Sequence, residues 1–170
     1  MPTVSPQARC LEPSSQPWTY SLRLPHDARA ARVARATLRV VLHSHGMTGL
    51  ADTAELLTSE MVTNALHYSD GPAQLRLRNM EESRLRVIVW DSNPRIPSPF
   101  HTPPGPLTHH NALTEAADAA DATHGRGLLL VRLCADNWGG YPLTDHRSGT
   151  SGRLLWFELT PHHEAFDIAA

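Results

Sequence analysis

The stretch Glu55–Ser69, ELLTSEMVTNALHYS, decides how the 170-residue chain is read. At ~100° per residue, Ala54, Leu57, Met61, Ala65 and Tyr68 fall on one apolar stripe of a helix. Glu60, Asn64 and His67, spaced i, i+4 and i+7, form a polar stripe beside it. A carboxylate and a carboxamide one turn apart, bordering a buried face, fit either an ordinary solvated helix side or the mouth of a pocket. The helix is predicted to start at an Asp52 cap and to run to about Tyr68.

Upstream, Trp18–Leu24 (WTYSLRL) alternates apolar and polar residues as a strand does, and Pro25, His26 and Asp27 supply a turn and a helix cap. From Ala28 to His45, Ala34, Leu38, Val41 and Leu42 recur at helical spacing against a charged side of Arg29, Arg32, Arg35 and Arg39. Gly46 and Gly49 are expected to end that helix. Downstream, Ala73, Leu75 and Leu77 alternate with Gln74, Arg76 and Arg78, and Leu85, Val87 and Val89 with Arg86 and Ile88. The connection Asn79–Ser83 makes these two strands a hairpin.

The second hairpin strand continues into Trp90-Asp91-Ser92-Asn93-Pro94. A period of two puts Asp91 on the face of Leu85, Val87 and Val89, at the edge of the core and directed inward. A buried carboxylate needs donors, which a ligand amino group would supply. An Asp that simply opens a turn before Asn93-Pro94 fits the same residues. Farther on, Gly125-Arg126-Gly127 precedes the apolar run LLLVRLCA, a short helix. Free backbone N–H groups, a helix dipole and a guanidinium are the parts of an anion site, although glycines before helices are common. Trp138–Pro142 and Arg153–Leu159 read as the last strands, with Trp138, Trp156 and Phe157 assigned to the core. The predicted fold is α+β: a two-layer sandwich with helices on one face of a mixed, mostly antiparallel sheet. Residues 1–16 read as a disordered leader, 17–160 as one domain and 161–170 as a tail. Within the domain, the Pro-rich and Ala/Asp-rich stretch 95–123 reads as a mobile lid.

Composition removes several functions. All 15 basic residues are arginine, so a phosphate-binding loop with Gly-Lys-Ser/Thr, Schiff-base chemistry and the strand lysine of protein kinases are excluded. A net charge of −2 argues against direct nucleic-acid binding. No apolar run is long enough to span a membrane, and Met1–Arg9 lacks the apolar block of a signal peptide, so a cytoplasmic setting is expected. Cys10 and Cys134 offer neither a disulfide framework nor a zinc cluster. The 11 histidines show no metal-ligand spacing.

Taken in order, the segments resemble the GHKL ATP-binding superfamily (the Bergerat-type fold of histidine-kinase catalytic domains, gyrase and Hsp90). In particular they resemble the bacterial anti-sigma factor serine/threonine kinases. The resemblance spans Trp18 to Leu159: Glu55–Ser69 looks like the N box, VIVWDSNP (Val87–Pro94) like a shortened G1 box, HGRGLLLV (His124–Val131) like the G2 box, and SGRLLWFEL (Ser151–Leu159) like the terminal strand. It implies ATP and Mg²⁺ as cofactors. Asn64 would be the Mg²⁺ ligand and Glu60 the general base. Asp91 would accept from the adenine amino group, with Asn93 beside the base where relatives have glycine. Gly125, Arg126, Gly127 and Leu128 would wrap the phosphates, and His67 would stand where many relatives carry Lys or Arg. Leu154 would take the place of a Thr that often helps hold the adenine, although an alternative alignment places Gly149-Thr150 there. The implied function is an ATP-dependent kinase that binds a sigma factor and phosphorylates an anti-sigma-factor antagonist on Ser or Thr, with a homodimer possible. A non-catalytic adaptor of the same fold, binding ATP or only a partner, is the alternative.

Overall fold

The alternation read from the hairpin strands governs the sheet. A computed structural model describes residues 17–101, 126–145 and 150–161. Among these, the elements in chain order are β1 (Thr19–Leu24), α1 (Ala30–Ser44), α2 (Ala51–Tyr68), β2 (Ala73–Asn79), β3 (Leu85–Asp91), α3 (Arg126–Cys134), β4 (Asn137–Asp145) and β5 (Thr150–Leu159). The strands form one five-stranded sheet in the order β1-β2-β3-β5-β4, antiparallel at every pairing. The helices cover one face, so the fold is the expected two-layer α+β sandwich. None of the described helices is long and apolar enough to cross a membrane.

Burial follows the pleat. In β2, Ala73, Leu75, Leu77 and Asn79 are buried while Gln74, Arg76 and Arg78 are exposed. In β3, Leu85, Val87, Val89 and Asp91 are the buried set. These side chains meet Leu38 and Leu42 of α1, Leu57 and Met61 of α2, Leu128 and Val131 of α3, and Leu155 and Phe157 of β5 in a single core. Each fully buried aliphatic side chain contributes about 1.5–3 kcal/mol of transfer free energy. Trp138 and Phe157 lie in this layer, as expected. Trp156, one residue out of phase with Phe157, is half-buried on the opposite face, where the Arg86 guanidinium stacks 4.6 Å from its ring centre.

Local chemistry sets the helix ends, in places differently from the expectation. Asp27 organises the start of α1 by accepting from the Arg29 N–H at 2.8 Å. At the other end Gly46 takes φ 71°. Its N–H donates to the His43 carbonyl at 3.2 Å and the Met47 N–H to the Leu42 carbonyl at 2.8 Å. That pair of bonds satisfies two terminal carbonyls and needs a left-handed residue, which glycine supplies. Gly49 does not end the helix; it sits in the 3₁₀ turn Thr48–Leu50 leading into α2. Asp52 is not the cap of α2. The helix already begins at Ala51, and the Asp52 carboxylate accepts from Arg39 of α1 at 3.3 Å. On α2 the stripe Ala54, Leu57, Met61 and Ala65 is buried, but Tyr68, the last residue of the helix, is 47% exposed.

After β3 the chain does not become loose at once. Of the stretch 95–123 read as a lid, residues 95–101 are described, and there Ile96 packs against the core and Phe100 is buried within it. The rest of that stretch, 102–123, lies outside the described residues, as do the leader 1–16 and nearly all of the tail.

Candidate nucleotide pocket

Asp91 ends β3 on the inward face and is 1% exposed. Its partner across the ladder is Arg153 of β5, which is 2% exposed. Like Asp91, Arg153 falls on the inward parity of its strand, in phase with Leu155, Phe157 and Leu159. The guanidinium makes three separate contacts. Arg153 Nε donates to Asp91 Oδ2 at 2.8 Å, Nη2 donates to Asn64 Oδ1 at 2.8 Å, and Nη1 donates to the Arg95 carbonyl at 2.7 Å. One side chain therefore ties α2, β3 and the loop after β3 together. Asp91 Oδ1 is also engaged, accepting from the Asn93 N–H at 2.8 Å. Burial pushes the Asp91 carboxyl up from its usual range, and the Arg153 pair and the Asn93 N–H only partly pull it back.

Gly152 makes this close approach possible. A Cβ there would collide with the Asp91 carbonyl oxygen and stand 2.8 Å from Trp90 Nε1. A backbone oxygen cannot step aside as a side chain can, so β5 must carry glycine where it passes the end of β3.

Around this centre the other expected site residues fall into place unevenly. Glu60, half-buried, lies one turn before Asn64 on α2. The first turn of α3 rests on it, since a Cβ on Gly127 would collide with the Glu60 carboxylate. Asn93 holds the loop to the end of α2: its Nδ2 donates to the Tyr68 carbonyl at 2.7 Å, and its Oδ1 accepts from the Arg95 N–H at 2.9 Å. Glu60, Asn64, Asp91, Asn93 and Gly127 thus gather where α2 meets the end of β3 and the start of α3. His67 is exposed, its Nδ1–H donating to the Thr63 carbonyl at 2.8 Å. Leu128 is a core residue, 2% exposed. Arg126 opens α3, and Gly125 lies outside the described residues.

Leu154 does not stand opposite Asp91. The register pairs it with Trp90 and Tyr141, and its side chain belongs to the face away from the helices. Arg153 holds the position opposite Asp91 instead. Sequence reading missed this residue, yet the signal was available. Leu155, Phe157 and Leu159 mark the inward parity of the last strand, and the same parity includes Arg153.

Adenine and Mg²⁺ would draw on acceptor positions of Asp91 and Asn64. A Mg²⁺ ligand needs an oxygen lone pair; Asn64 Oδ1 has two and gives one of them to the Arg153 guanidinium at 2.8 Å. A divalent ion on that oxygen would face the fixed positive charge a few ångströms away. Each Asp91 oxygen likewise has one donor, with one acceptor position left. In this arrangement Arg153 competes with Mg·ATP for both residues.

The arrangement of these segments defines a class. The chain belongs to the histidine kinase-like ATPase domain family, whose model matches residues 24–153. Among solved structures, the fold is similar to a chain of the SiaB–SiaC complex from Pseudomonas aeruginosa. That match has a TM-score of 0.63 and 15% identity, and covers 82% of this chain and 89% of the other. No curated protein sequence matches the chain.

Proposed function

We propose that the chain is a regulator of the anti-sigma-factor type that acts by binding a partner protein in the cytoplasm, rather than by turning over ATP in the arrangement described above. The partners would be a sigma factor and an anti-sigma-factor antagonist. The observation that carries the reading is Arg153, whose guanidinium fills an acceptor position on each of Asp91 and Asn64, the residues with which Mg·ATP would have to compete for it. Membership in the family supports the frame. The similar fold occurs in a solved two-protein complex, SiaB–SiaC, which supports partner binding as a use of this architecture.

One feature favours the kinase as a second reading. Glu60 is placed one turn from Asn64, with Gly127 against its carboxylate, a position from which a general base could face an acceptor hydroxyl. The two readings separate in one experiment. The chain is mixed pairwise with the sigma factors and antagonists of its own cell, with and without Mg·ATP. Co-elution and transfer of labelled γ-phosphate are then followed. Partner binding reads out as complexes that form with ATP omitted and no label on the antagonist. The kinase reads out as labelled antagonist, with transfer slowed by roughly 10²–10⁴-fold in Glu60→Ala. Failure to bind any of these partners under either condition rejects both.

A further inference from the structure

Arg153 also bears on whether nucleotide can enter the pocket at all. We infer that it is an internal occupant of the pocket, holding it closed to nucleotide until the side chain is displaced. This rests on reading the space between Asp91 and Asn64 as the family's nucleotide pocket.

The geometry supports an occupant rather than a bystander. The Arg153 Cα is fixed by the ladder opposite Asp91, so the guanidinium can leave only by rotation of its own stem. Leaving breaks the bonds to Asp91, Asn64 and the Arg95 carbonyl together. Asp91 and Asn64 are inside the protein, where an unpaired polar atom is unfavourable. Closure is therefore the resting arrangement, and opening requires something that replaces those partners. A nucleotide can do so only in part: its base amino group offers a donor to Asp91, while the metal takes the Asn64 oxygen. Apparent affinity scales with the fraction of molecules already open, so a closed form about ten times more populated than the open one weakens binding about tenfold. Arginine suits the role better than lysine, because its fork reaches three acceptors at once.

A residue that only stabilises the fold would, on removal, leave nucleotide binding unchanged or weaker. An occupant would, on removal, strengthen it. The experiment titrates Mg·ATP by calorimetry into the wild type, Arg153→Thr, Arg153→Lys and the double variant Asp91→Ala/Arg153→Thr. Folding of each is checked by circular dichroism, and partner binding is measured in parallel. Arg153→Thr is expected to bind Mg·ATP about tenfold or more tightly than the wild type. Arg153→Lys keeps a charge beside Asp91 but loses the fork, so its gain is smaller; it is also the variant read if Arg153→Thr does not fold. Adding Asp91→Ala should abolish the gain. No gain in the folded variants overturns the inference, as does wild-type binding tighter than either, which would make Arg153 a nucleotide contact. A gain that survives Asp91→Ala overturns it as well, by placing the nucleotide elsewhere. Partner binding that persists whatever the nucleotide result shows that the regulator reading stands apart from this inference.

Discussion

Replacing Arg153 by Met keeps most of the side-chain volume and removes the guanidinium. Asp91 would retain the Asn93 N–H but lose its charged partner, while Asn64 Oδ1 and the Arg95 carbonyl would lose their donors. Breaking a buried ion pair by removing one partner typically costs about 3–5 kcal/mol, and both residues here are almost wholly buried. For a chain of this size each kcal/mol lowers the melting temperature by roughly 2–4 °C, so Arg153→Met should melt on the order of 10 °C below the wild type. The pair should also be coupled. Asp91→Ala/Arg153→Met should be destabilised by about 1–3 kcal/mol less than the two single changes together, because the second change no longer strands a buried charge. Urea denaturation of the four proteins at one pH gives the cycle, provided the slope with denaturant stays constant. A loss below about 1 kcal/mol in Arg153→Met, with an unchanged slope and no coupling to Asp91, would refute the buried triad of Asp91, Arg153 and Asn64.

Gly152→Ala should destabilise the fold by about 1–3 kcal/mol, since the added methyl meets the Asp91 carbonyl; denaturation matching the wild type would show that β3 and β5 are not this close. Asp91 gives a signed pH dependence. Its carboxyl is raised by burial, so the native state holds the proton more tightly than the unfolded chain does. The resulting stability is fully present below the unfolded value of about 3.9 and is lost as pH rises through the native value. The wild type should therefore lose ground to Asp91→Asn as pH rises from the acid range, and chemical denaturation at a series of pH values that shows the opposite trend would contradict the burial argument.

Most of the layer architecture was legible because both periods were clean. The apolar residues of α1 and the strict alternation in β2 and β3 left one assignment open to each, and parity alone placed Asp91 on the inward face. The errors sit where local signals are ambiguous. Asp52 has a capping side chain, but the 3₁₀ turn Thr48–Leu50 starts the helix one residue earlier and leaves the carboxylate to Arg39. Trp156 is aromatic and was assigned to the core by type, whereas its parity sends it to the other face. Arg153 escapes a local reading because it stands at the start of a mostly apolar strand, where nothing in the segment itself marks it as paired. A charged residue at an inward parity position calls for a buried partner, and Asp91 was already identified as a buried carboxylate lacking one. The two observations needed only the register of β3 on β5 to be joined, and cross-strand register is a long-range property that neither segment encodes alone.

The most direct test of the account is the Arg153 Nε–H itself, observed by nitrogen-15 NMR in the wild-type chain and assigned by its disappearance in Arg153→Lys. A guanidinium held on Asp91, Asn64 and the Arg95 carbonyl predicts a separate, sharp Nε–H resonance that exchanges slowly with solvent and is unaffected by Mg²⁺ alone. A resonance that exchanges as fast as those of the exposed arginines would place Arg153 outside the pocket and contradict the account.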